Sequence, residues 1–144
     1  MKRIDQLIAG DEVLSGPKLD ELVKVDGVAQ CWISTPGPEH DAVIFEPGSL
    51  RDEFPSERLI IDPGHPICTQ EEFLNNGIES LRPAGSYING DNKIYARKWT
   101  DPLIQEEPSM RYDLVLPAPY CTYIANGLVV KSLGHYHHTY KDLM

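Results

Sequence analysis

Proline–glycine pairs set the grain of this chain. Pro36-Gly37, Pro47-Gly48 and Pro63-Gly64 each close a short run rich in apolar and β-branched residues: Ala29 to Ser34, Ala42 to Glu46 and Arg58 to Asp62. Proline lacks the N–H that a helix or ladder uses, and glycine reaches backbone angles closed to other residues, so such pairs stop regular structure and turn the chain. With 12 prolines and 11 glycines in 144 residues, breakers recur too often for a bundle of long helices. The spacing predicts a mainly β fold of short strands joined by tight turns.

The last third repeats the signal more strongly. Lys93 to Trp99 and Met110 to Leu116 alternate, and Tyr120 to Ala125 and Leu128 to Ser132 flank Asn126-Gly127. An Asn-Gly pair between two β-rich runs suits a two-residue hairpin turn, whose central residues both need positive φ. Helical signals are confined to the first half. Ile4, Leu7 and Ile8, then Leu19, Leu22 and Val23 behind Gly16-Pro17, have i, i+3, i+4 spacing, which predicts two short helices. Thr69-Gln70-Glu71-Glu72 is a capping box with Phe73 behind it and Asn76-Gly77 as its stop, which predicts a helix of about two turns. Arg82 to Asn92, broken by Pro83, Gly85 and Gly90, reads as a loop. There is no internal repeat and no low-complexity tract, so one domain is the simplest organisation.

Charge narrows the partners. The formal net charge is -9, from 22 acidic against 13 basic residues. Such a field repels phosphate backbones and anionic lipid, so neither nucleic acid nor a membrane surface is expected as a partner. A small phosphorylated molecule, which needs only a local set of donors, is compatible with it. No apolar run has the length of a membrane span, and Met1 to Asp5 is not followed by a signal-peptide core, so a cytoplasmic protein is expected. Cys31, Cys68 and Cys121 are odd in number and widely spaced, which fits buried thiols in a reducing compartment better than a disulfide framework. No nucleophile elbow, Walker loop, dinucleotide fingerprint or His-Glu-x-x-His is present.

The chemistry-bearing segment is Lys131-Ser132-Leu133-Gly134-His135-Tyr136-His137-His138. Residues two apart on a strand share a face, so His135 and His137 can direct two imidazole nitrogens at one metal ion, with His138 facing the other side. The plain alternative is a pair of partly exposed strand histidines with no ligand. His40 and His65 lie in Gly/Pro-rich turns and could join a metal cluster with a carboxylate. Ser132 and Gly134 are small residues of the kind found where a strand bends, and their hydroxyl and N–H could equally converge on a phosphate oxygen.

Three motifs carry a resemblance: Tyr95-Ala96-Arg97, the strand Met110-Arg111-Tyr112-Asp113-Leu114-Val115-Leu116-Pro117, and Val130-Lys131-Ser132-Leu133-Gly134-His135-Tyr136-His137. Together they resemble the cupin-type glucose-6-phosphate isomerases, the metal-dependent group of archaea and some bacteria. The third is similar to that family's Lys-Thr-x-Gly-His-(Tyr/Phe)-His motif, with Ser132 where threonine is usual. The resemblance implies a cupin-like fold, a partial jelly-roll barrel with short helices in the N-terminal half. Residues 1–80 would be an irregular α+β lead-in and residues 81–144 the N-terminal half of the barrel. It implies metal-dependent interconversion of glucose 6-phosphate and fructose 6-phosphate, with His135 and His137 holding a divalent metal ion (iron, zinc, nickel or manganese). Ser132, the backbone N–H of Gly134 and Tyr95 would bind the phosphate of the sugar.

The family completes its site with a glutamate soon after the second histidine and a further histidine on a later strand. Here His138-Thr139-Tyr140-Lys141-Asp142-Leu143-Met144 supplies neither. The expectation is therefore the front part of such an isomerase, working as a homodimer or with a chain that supplies the missing barrel half. The alternative is a non-catalytic, cupin-related module that binds a sugar phosphate, a metal or another protein.

Overall fold

The computed structural model describes residues 6–32, 42–97 and 110–132. In chain order its strands are β1 (Glu12–Ser15), β2 (Glu21–Lys24), β3 (Gly27–Trp32), β4 (Ala42–Phe45), β5 (Leu59–Ile61), β6 (Pro66–Cys68), β7 (Arg82–Pro83), β8 (Ile94–Arg97), β9 (Met110–Val115), β10 (Thr122–Ala125) and β11 (Leu128–Lys131). Helix α1 (Gln70–Asn76) is the one α-helix among the described residues. The protein is mainly β, and every strand pairing is antiparallel.

Four sheets are built from these strands. β1 and β2 form a hairpin, β3 pairs with β9, β4 lies between β5 and β8, and the largest sheet runs β10-β11-β6-β7. Strands from before residue 80 thus pair with strands from after it in three of the four sheets, and the two parts of the chain share one core. Phe45, Ile67, Ile94, Leu114, Leu128 and Val130 are among its members. All four residues of β4 are buried because the strand is covered on both faces. Val43 and Phe45 face the main core, while Ala42 and Ile44 pack with Ile60 and Tyr95 on the other side.

Local signals in the sequence produce the elements they should. The Thr69 hydroxyl accepts from the Glu72 N–H at 3.1 Å and the Glu72 carboxylate accepts from the Thr69 N–H at 3.2 Å, closing the capping box of α1. Gly77 ends the helix at φ +69°. Asn126 and Gly127 have φ of +51° and +83°, and Ala125 pairs with Leu128 across them, the two-residue turn expected of Asn-Gly. A side chain at Gly127 would start 2.1 Å from Cδ1 of Phe54, whose ring lies against the turn.

Two expectations need correcting, and a third falls partly outside the described residues. Leu19 to Val23 is not a helix: Leu19 sits in the turn between β1 and β2 at φ +59°, outside helical space, and Glu21–Lys24 is a strand. Val23 and Val25 are buried while Leu22 and Lys24 are exposed, so period two governs the segment. For the earlier helix, Ile4 lies outside the described residues. Ile8 is exposed and its N–H donates to the Asp11 carboxylate, which holds a turn there. The segment read as a loop from Arg82 begins with the short β7, which pairs with Pro66 and Ile67, and continues into a 3-10 turn, Ala84–Tyr87. No helix among the described residues is long and apolar enough to cross a membrane.

Candidate functional site

β11 leads into the histidine motif and lies inside its sheet, between β10 and β6. Gly134, His135, His137 and His138 lie outside the described residues, as does His40. Ser132, the first residue after the strand, is fully buried. Its N–H donates to the Cys121 carbonyl at 2.7 Å, and its hydroxyl donates to the carbonyl of Leu114 on β9. Ser132 therefore ties the end of β11 to its neighbours, and its single hydroxyl proton is already committed to the backbone.

Around this end of β11 the interior turns polar. Ser15, Asp113, Thr122 and Ser132 are the buried polar side chains among the described residues, and bonds and strand register bring them to one place. The Ser15 hydroxyl donates to the Thr122 carbonyl, and Thr122 stands opposite Lys131. The Asp113 carboxylate accepts from the Leu114 N–H at 2.9 Å and from the Tyr123 hydroxyl at 3.0 Å. Tyr123 in turn stands opposite Val130. Burying such groups is costly unless they find partners, and for Ser15, Asp113 and Ser132 the partners are backbone groups and the Tyr123 hydroxyl.

His65 joins the same place from the turn after β5. Its Nε2 lies 2.8 Å from the Lys131 carbonyl oxygen. A carbonyl can only accept, so Nε2 carries the proton, and in the neutral ring Nδ1 carries the lone pair. That arrangement, one nitrogen donating to a carbonyl and the other bare, is how metal-bound histidines are oriented. The ring is fixed by the backbone on both sides: the His65 N–H donates to Asp62 and its carbonyl accepts from Ala84. Sequence alone gives His65 no more weight than His40, because only the pairing of β6 with β11 brings the turn to the strand end.

Tyr95 stands elsewhere, on β8. Its hydroxyl donates to the Glu46 carboxylate at 2.8 Å, and Arg58 donates to the same carboxylate at 2.8 Å. The Arg97 guanidinium lies 4.5 Å over the Tyr95 ring. The hydrogen bonds from Arg58 and then Tyr95 hold the Glu46 carboxyl below its ordinary value. Burial, followed by the Glu46 charge, pushes the Tyr95 phenol above its own. Tyr95 and Ser132 thus lie on different sheets, each with its hydroxyl proton in use. No local pattern marks Glu46 as the partner of Tyr95, since the contact depends on β4 pairing with β8.

Among the described residues no three His, Cys, Asp or Glu side chains are grouped so as to hold a metal ion. His65 is the one imidazole they contribute near the polar end of β11. Comparison with family models, curated proteins and solved structures finds no match to this chain.

Proposed function

We propose that this chain binds a phosphorylated sugar with a divalent metal ion, in the manner of a cupin-type glucose-6-phosphate isomerase, at the end of β11. The observation that carries the reading is the burial of Ser132 and the bond from His65 to Lys131 at the end of β11, just before Leu133-Gly134-His135-Tyr136-His137 in sequence. The mainly β, antiparallel fold is compatible with half of a jelly-roll barrel.

In this reading His135 and His137 hold the metal, and Ser132, the Gly134 N–H and Tyr95 receive the phosphate. A bound divalent metal supplies charge stabilisation to the C1 and C2 oxygens as hydrogen moves between those carbons. The phosphate is the remote handle that orients the open-chain sugar. For Ser132 to contact it, its hydroxyl must exchange the Leu114 carbonyl for a phosphate oxygen, and Tyr95 must likewise leave Glu46.

Those two commitments favour a second reading: a non-catalytic module that binds metal or sugar phosphate, with any turnover dependent on a partner chain. One experiment separates the two. The purified chain is assayed for conversion of glucose 6-phosphate to fructose 6-phosphate with and without added iron, zinc, nickel or manganese, and its metal content is measured in parallel. Metal-dependent turnover supports the isomerase, and binding without turnover supports the module. Loss of bound metal in His135→Ala is expected under both, and unchanged metal content in that variant removes the site.

A further inference from the structure

The β1–β2 hairpin has an inner and an outer face. Val13, Ser15 and Val23 point inward, while Glu12, Leu14, Leu22 and Lys24 share the outer face. The register places Leu14 directly opposite Leu22 and Glu12 directly opposite Lys24. Leu22 is 67% exposed and Leu14 39%, so an apolar cross-strand pair stands in water beside a pair of exposed opposite charges.

This pattern is complementary to itself. Consider a two-fold axis parallel to the strands, midway between β1 and β2, in the plane where two such faces meet. It carries each residue of one copy over the cross-strand partner of that residue in the other copy. Leu14 then covers Leu22 and Leu22 covers Leu14, while Glu12 meets Lys24 twice. Faces packed about 10 Å apart leave room that leucine side chains fill. A partner of different sequence would have to match one acid, one base and two leucines by design, whereas a second copy does so through symmetry alone.

We infer that the outer face of the β1–β2 hairpin docks a second copy of this chain, with Leu14 and Leu22 at the centre and Glu12–Lys24 pairs at the rim. Two leucines a side are few beside the ~800 Å² per partner of a standard interface, so the dimer is weak and concentration-dependent. The central leucines supply the affinity, and the charged pairs set the orientation.

The test is sedimentation velocity on the full chain from low micromolar to submillimolar concentration, with circular dichroism to check folding. Wild type is expected to dimerise reversibly, and Leu22→Glu to weaken the dimer at least about tenfold. Glu12→Lys and Lys24→Glu are each expected to be monomeric alone, because each sets like charges face to face. An equimolar mixture of those two is expected to recover the dimer, since every base then meets an acid. A wild-type chain that stays monomeric throughout the range overturns the inference. So does a dimer that survives Leu22→Glu in a folded chain, or a mixture of the charge variants that associates no better than either alone.

Discussion

His65 donates its Nε2–H to the backbone carbonyl oxygen of Lys131, and in doing so ties the turn after β5 to the last residue of β11. The bond bridges two segments far apart in sequence, beside the buried Ser132. It also fixes which ring nitrogen is protonated. Replacing His65 by alanine leaves the half-buried Lys131 carbonyl without this donor and is expected to cost about 1–2 kcal/mol of stability. Urea denaturation measures it; a loss within error of zero would show that solvent satisfies the carbonyl equally well.

The Gly127 turn offers a sharper comparison. Alanine there takes on a left-handed backbone at φ +83° and a contact with the Phe54 ring, a combined cost of roughly 2–4 kcal/mol. Gly90→Ala is the control, because a Cβ there meets nothing within 4 Å. Melting temperatures of the two variants should separate clearly. Adding Phe54→Ala to Gly127→Ala relieves the contact but not the backbone, and creates a cavity of its own.

Acid sensitivity should be traceable to Glu46. An unfolded glutamate titrates near 4.5, and in the folded protein the bonds from Arg58 and Tyr95 place Glu46 lower. As pH falls the unfolded chain takes up this proton first. The carboxylate therefore contributes its full stability above 4.5 and loses it as pH drops through the folded value. The side chain is 26% exposed, which keeps the contribution under about 1 kcal/mol. Glu46→Gln is expected to be less stable than wild type at neutral pH, with the difference smaller at an acid pH below 4.5. Denaturation curves at the two pH values check this, and a difference that widens in acid contradicts it.

Cys68 should be chemically silent in the folded state. Burial, with a further push from the Glu72 charge, raises its thiol to about 12. At mildly alkaline pH the group is then a neutral thiol inside the core, and alkylating reagents need the thiolate. Iodoacetamide followed by peptide mass mapping is expected to leave Cys68 unmodified in native protein and fully modified in denaturant. Rapid native labelling would mean that the β6 region opens readily.

The elements that could be read from sequence are those whose causes are local. The capping box at Thr69, the stop at Gly77 and the Asn126-Gly127 hairpin need only a few neighbouring residues. The strands from β3 to β5 and from β8 to β11 also follow from alternation and breakers. Leu19, Leu22 and Val23 misled because those three positions satisfy helical spacing while Val23 with Val25 satisfies strand alternation, and packing of the hairpin on the core decides between them. β6 has only Pro66, Ile67 and Cys68, too short a run to signal itself. The site was less legible. Nothing near His65 in sequence points to Lys131, nor anything near Tyr95 to Glu46, because both relationships are made by strand pairing across the chain.

β11 is hydrogen-bonded to β10, its immediate predecessor, and to β6, which lies more than a third of the chain earlier. The first partnership can form as soon as the hairpin turn is made. The second joins distant parts of the polypeptide and carries the loop-closure penalty that slows such folds. On a ribosome, Ile67 and Cys68 must wait, still wet, until residues 128–131 have cleared the exit tunnel. Closing the interior around β6 is thus a late step in the folding of this chain.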